Sequence, residues 1–136
     1  METCFLENDV RILYVTANSF PAGVLAAHQK LHALIPYSAQ RRYFGLSRPE
    51  NAGTIVYRAA AEELKPSEAE ELGLQTLILK KGKYISTIIK NYHEDVSAIE
   101  KAFSILLKTS HLDRQGYCVE WYLNDKDVQC MVRLTE

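Results

Sequence analysis

Apolar and polar positions along the chain fall into two kinds of rhythm. Val10 to Ala17 is dense in β-branched and aromatic residues and reads as a strand. Asn18 and Ser19 then bring N-cap chemistry and Pro21 suits a first helical turn. Val24, Leu25, Leu31, Leu34 and Ile35 return at helical spacing until Pro36 ends the run, which predicts a helix over 21–35. Arg41 to Ser47 and Thr54 to Ala60 read as two further strands, joined by a turn containing Pro49, Asn51 and Gly53. After an acidic connector with a helical turn starting at Ser67, strands are expected at Leu74 to Lys80 and Lys83 to Lys90. His93 to Thr109 reads as a helix with Val96, Ile99, Phe103, Leu106 and Leu107 as its buried stripe and Glu94 and Asp95 in its first turn. Tyr117 to Leu123 and Val128 to Leu134 complete the strands.

The order strand, helix, strand, strand is written twice. The elements at Val10, Pro21, Arg41 and Thr54 recur at Lys83, His93, Tyr117 and Val128, displacements of 73, 72, 76 and 74 residues. Such regular spacing points to a duplicated module, the first about 1–62 and the second about 74–136, within one domain. The expected fold is α+β: a curved antiparallel sheet with two helices on one face and a cleft where the modules meet. A junction of that kind favours a small-molecule pocket.

Composition narrows the function. The 136 residues are 47% hydrophobic and 24% charged, which is globular rather than disordered. Sixteen Lys and Arg against seventeen Asp and Glu leave a formal charge of -1, without the basic excess that direct binding of nucleic acid or an anionic membrane needs. No apolar run approaches the ~20 residues of a membrane span, and the acidic start of the chain lacks a secretory signal. Cys4, Cys118 and Cys130 are odd in number and without metal-ligand spacing, which reads as three reduced thiols in a cytoplasmic protein. Cys118 and Cys130 could face each other across neighbouring strands. His28 and His32 stand four apart on the first helix, but with no further ligand nearby they read as a solvated face, and Gln40-Arg41-Arg42 as strand-edge charge.

Glu120 breaks the pattern. It stands mid-strand among Tyr117, Cys118, Val119, Trp121 and Tyr122, and alternation puts it on one face with Cys118 and Tyr122. Burying a carboxylate there is costly unless it is paired. It therefore faces water, pairs with an arginine such as Arg133, or serves a site for a lipophilic cation that combines charge with cation–π contact. Eight tyrosines accompany it, six of them (Tyr14, Tyr43, Tyr57, Tyr84, Tyr117 and Tyr122) on predicted strands. Sheet packing accounts for any one of them; the set around one acid resembles a pocket wall.

Gly82-Lys83-Tyr84, Glu120-Trp121-Tyr122-Leu123 and the closing strand Gln129 to Leu134 resemble the GyrI-like small-molecule-binding domain, the effector-binding domain of AraC-type and MerR-type multidrug regulators. Tyr43-Phe44-Gly45-Leu46 followed by Pro49 is similar to the family's first-module strand. The chain departs from the pattern at Asn91-Tyr92-His93, where the family has Gly-Pro, and at Arg133, where it has Pro. The resemblance implies that Glu120 contacts a cationic ligand beside Tyr84 and Tyr122, with Tyr43 and Tyr57 as wall residues from the first module. With no helix-turn-helix ahead of the first strand, it implies a stand-alone sensor or sequestering protein. Some family members instead hydrolyse cyclopropanoid or related electrophiles, with the same Glu as general base or charge stabiliser; a third role is protein inhibition, as of gyrase. No cofactor and no metal are implied. Exposed strand edges leave a homodimer or another protein partner open.

Overall fold

In the computed structural model, which describes residues 1–50 and 52–135, the β-rich stretches join one antiparallel sheet. Its strands are β1 (Glu2–Leu6), β2 (Val10–Thr16), β3 (Tyr43–Glu50), β4 (Thr54–Glu62), β5 (Gln75–Leu79), β6 (Gly82–Ile89), β7 (Cys118–Tyr122) and β8 (Val128–Arg133). The helices are α1 (Val24–Leu34), α2 (Glu68–Leu72) and α3 (Ser97–Leu106). Strand order is β1-β6-β8-β7-β3-β4-β2-β5.

That order is symmetric about the β7–β3 seam: stepping outward, β8 answers β4, β6 answers β2 and β1 answers β5. The duplicated pattern is thus the architecture, with one addition. β1, unanticipated from the sequence, leads into β2 but pairs with β6, while β5 leads into β6 but pairs with β2. Each half therefore lends its leading strand to the outer edge of the other.

The two faces are covered differently. One core cluster contains Leu6, Ile12, Phe44, Ala60, Leu79, Tyr84, Val119 and Met131, a residue from every strand. Only a sheet curved back on itself brings both edges into one cluster, so this is the concave face. On the convex face α1 packs on β2 and β4 and α3 packs on β6 and β8, each over its own cluster. Ala59 and Ala61 of β4 leave room for Ala27 and Leu31 of α1; Cys130 and Val132 of β8 meet Phe103 and Leu106 of α3.

Local differences from the sequence reading have local causes. α1 starts at Val24 behind Gly23 with no side-chain cap, so neither Asn18 nor Ser19 serves as N-cap and Leu25 is 68% exposed. Tyr92 to Glu94 form a 3-10 turn, and Asp95 accepts from the Ser97 N–H and hydroxyl; α3 begins only there, leaving Val96 74% exposed and Leu107 beyond the last turn. Pro49 lies inside β3 rather than in the turn. β3 pairs with β7 only over Tyr43–Ser47, so a residue without N–H is tolerated where that side of the ladder has ended. Asn51, also predicted for the turn, lies outside the described residues.

Arg41 is not an edge charge. Its guanidinium makes two parallel 2.8 Å bonds to the Glu68 carboxylate and a third to the Glu62 carbonyl, with the Arg41 and Glu68 side chains 2% and 9% exposed. This pair fastens α2 to the start of β3. Removing one partner of a buried pair strands the other charge. Glu68→Ala is expected to cost about 3–5 kcal/mol at neutral pH in urea unfolding. The bonds to Arg41 hold the Glu68 carboxyl down at about 2, from 4.5, against the opposing effect of burial. Its stabilisation is full above pH 4.5 and fades as pH falls towards 2, so the gap between wild type and variant should close on acidification.

Candidate functional site

Between α1 and α3 runs the strip formed by β3 and β7. Gly45 stands opposite Glu120 and Tyr43 opposite Tyr122; on the flanks Ala59 faces Gly45 and Cys130 faces Glu120. Alternation carries Tyr57 to the same face, two residues from Ala59. Gly45 makes the arrangement possible: a Cβ there would lie 2.0 Å from the Tyr57 hydroxyl and 3.1 Å from Glu120 Oε1. The glycine is a seat for a phenol and a carboxylate.

Glu120 is 9% exposed, and no cationic side chain pairs with it among the described residues. Arg133, the neighbour suggested by sequence, points to the other face and pairs with Asp113. Glu120 Oε1 accepts from the Tyr122 hydroxyl at 2.5 Å and has the Tyr57 hydroxyl 3.4 Å away; the two hydroxyls are 3.1 Å apart, and His28 Nε2 is 2.7 Å from the Tyr57 oxygen. Proton counting selects one order for the short bonds around an ionised carboxylate. Nε2–H of His28 donates to Tyr57, Tyr57 donates to Tyr122, and Tyr122 donates to Glu120. Oε2 has no hydrogen-bond partner among the described residues, yet it is not sealed from solvent. It is the open corner of the carboxylate.

Aromatic rings enclose this chain of bonds. Phe20 stacks on Tyr57 at 5.9 Å, His28 sets its edge against both Tyr57 and Tyr122, and Tyr92 leans on Tyr122 at 6.0 Å. Phe20 and Tyr92 occupy matching places ahead of α1 and α3, 72 residues apart. Tyr43 belongs to the rim. It stacks parallel to Tyr37 at 5.9 Å, has His32 beside it, and accepts from the Ser38 N–H.

Burial raises the Glu120 carboxyl above its usual range, although bonds from Tyr122 and Tyr57 oppose the rise. Burial, and then the charge of His32, lowers His28 to about 4, so its imidazole is neutral at neutral pH. Burial and then Glu120 push the Tyr57 and Tyr122 phenols far up, and carry the Cys118 and Cys130 thiols to about 11 and 12. All three cysteines are free, and Cys118 and Cys130 sit diagonally across β7 and β8 rather than in register. Phenols and thiols thus remain protonated and the His28 imidazole is neutral, which leaves Glu120 as the one carboxyl of the cluster.

Of the residues singled out by sequence, Glu120, Tyr122 and Tyr57 come together and Tyr43 lies alongside. Tyr84 does not join them. Its neighbour Ile85 takes the α3 face, so Tyr84 falls on the concave face, buried, with its hydroxyl donating to the Lys80 carbonyl at 2.6 Å. His28 corrects the expectation of a solvated helix face: it lies on the same stripe as Val24 and Leu31, a spacing that could have revealed it. Among the described residues no three His, Cys, Asp or Glu side chains gather as metal ligands.

No family model and no curated protein sequence matches the chain. Solved structures do match its fold. An integron cassette protein from the mobile metagenome of Vibrio cholerae superposes with TM-score 0.69 at 12% identity, over 98% of this chain and 95% of that one. A hydrolase from Listeria innocua gives 0.60 at 13%, over 98% and 91%. A Staphylococcus aureus protein provisionally described as a bacterial transcription regulation protein gives 0.58 at 11%, over 97% of each chain. At these identities the likeness is one of fold, and it is consistent with a GyrI-like fold. No helix among the described residues is long and apolar enough to cross a membrane.

The shifted groups make stability a readout of the cluster. A carboxyl whose folded pKa is raised penalises the fold once pH exceeds its unfolded value of 4.5, because only the unfolded chain ionises freely. Glu120→Gln is therefore expected to raise the melting temperature at pH 7, with a gain that vanishes below pH 4.5. His28 acts in the other direction: the unfolded chain takes its proton near 6.5 and the folded one near 4, so this site loses stability as pH falls through that window. His28→Gln should remove that component, and melting curves from pH 3.5 to 7.5 on the three proteins check both.

Proposed function

We propose that the chain binds a lipophilic organic cation over the β3–β7 strip, with Glu120 as its counter-charge and Tyr57, Tyr122, Tyr92 and Phe20 as its walls. The observation that carries this reading is a buried carboxylate with no cationic partner among the described residues and one open oxygen, ringed by aromatic side chains. Such a carboxylate is a standing cost to the fold that an incoming cation offsets. Ring faces add about 0.5–2 kcal/mol of cation–π attraction, more as water is excluded. The role is that of a sensor or sequestering protein, in keeping with the fold shared with the Staphylococcus aureus protein.

A second reading, hydrolysis of an electrophile, is favoured by the bond chain from His28 to Glu120 and by the Listeria innocua hydrolase among the fold neighbours. Glu120 would take a proton through Oε2 from a water whose oxygen attacks the electrophilic carbon, and return that proton to the atom whose bond to this carbon breaks.

Calorimetric titration with tetraphenylphosphonium, against neutral triphenylphosphine oxide, tests the first reading. Wild type should bind the cation, and Glu120→Gln at least tenfold more weakly. Equal affinity for both compounds, or no loss in the variant, overturns it. Mass-spectrometric detection of a hydrolysed epoxide or cyclopropane formed by wild type but not by Glu120→Gln would move the assignment to the second reading.

A further inference from the structure

The concave side of the sheet, facing away from Glu120, holds a cavity of about 300 Å³ at one end. That is the lower end of the ~300–1,000 Å³ typical of small-molecule pockets. Its charged lining is Arg48, Lys80 and Arg133 against Asp113 alone.

Both guanidiniums are fixed before any ligand arrives. Arg48 lies over the Tyr117 ring at 4.2 Å, donates Nε to Glu50 at 3.0 Å and Nη1 to the Gln115 carbonyl at 2.7 Å. Arg133 donates Nε to the Lys81 carbonyl at 3.0 Å and Nη1 to Asp113 at 3.1 Å. In each, Nη2 has no partner among the described residues and is not sealed from solvent. Lys80 is exposed and has no carboxylate within ion-pair distance among the described residues. Gly82, at φ 135°, makes room for Arg133: a Cβ there would stand 3.0 Å from Nη2. Asp113 and Glu50 are spent on holding the arginines and Asp9 accepts from the Lys81 N–H nearby, so it is the cavity's own lining that carries the positive excess. Leu79, Tyr84 and Tyr117 supply an apolar wall.

We propose that this cavity is a second ligand site, selective for a small planar organic anion such as an aromatic carboxylate. Its carboxylate would be held by the two free Nη2 groups and Lys80, with its ring against Leu79, Tyr84 and Tyr117. Oriented guanidinium donors suit a planar oxyanion better than an uncharged or cationic group. The site is independent of the cation reading, because its residues lie on the opposite face of the sheet.

Benzoate is the probe, with benzamide and benzyltrimethylammonium as its uncharged and cationic counterparts, titrated by calorimetry into wild type, Lys80→Glu, Arg48→Gln and Glu120→Gln. Circular dichroism confirms folding of each variant. The expected result is binding of benzoate in preference to benzamide, weakened about tenfold or more by Lys80→Glu and by Arg48→Gln and unchanged by Glu120→Gln. Lys80→Glu carries the decision, since the Lys80 ammonium is exposed and makes no ion pair among the described residues. Failure of benzoate to bind wild type, equal binding of benzamide, or undiminished affinity in folded Lys80→Glu overturns the proposal. Loss in Glu120→Gln alone also overturns it, by placing benzoate on the other face.

Discussion

A single eight-stranded sheet must shield two apolar faces, and a chain this short has helices enough for only one of them. Curvature resolves the conflict. Bent far enough for Leu6 of one edge strand and Leu79 of the other to share a cluster, the sheet becomes its own cover on the concave side. Both long helices are then free for the convex side, where each shields the outer strands of one half. The central seam lies between the two helices, reached by His28 and His32 of α1, and that is where polar chemistry gathers.

The seam can hold a carboxylate because its neighbours are arranged around one missing side chain. With a Cβ at position 45 the Tyr57 hydroxyl would be displaced, and with it the bond network that meets Glu120. Burial keeps the acid raised in pKa, the phenols offset that only in part, and no cationic side chain among the described residues supplies a counter-charge. Structural carboxylates elsewhere behave oppositely: Glu68 faces Arg41 and Glu50 faces Arg58, and both are held at about 2. The contrast separates an acid that completes the fold from one that burdens it.

Much of this was readable from residue order. β-branched runs marked seven strands, and their spacing disclosed the duplication. Alternation along β7 put Glu120, Tyr122 and Cys118 on one face, as observed. What escaped depends on partners distant in sequence. β1 has one buried side chain, Leu6, and is a strand because β6 lies beside it. Arg41 looks like surface charge until Glu68 arrives, and His28 looks solvated until Tyr57 does. Tyr84 illustrates a different limit. Motif matching brought it to Glu120, but the count along β6 and the register with β8 turn it to the opposite face. A shared motif fixes proximity in sequence pattern, whereas parity along a strand fixes which side of the sheet a ring inhabits.

The traded edge strands carry a consequence for ancestry. If β1 had stayed with β2, and β5 with β6, each half would be a closed unit, and the tie between halves would be the β3–β7 seam alone. With the strands exchanged, neither half can complete its ladder from its own residues. A single ancestral module would have satisfied the same pairings by swapping its first strand with a second copy, which makes a symmetric dimer the natural predecessor of the fused chain. Within one chain the two halves need not be alike, and here the first contributes Gly45 and the second Glu120 to a seam that identical subunits would have to build from a single sequence.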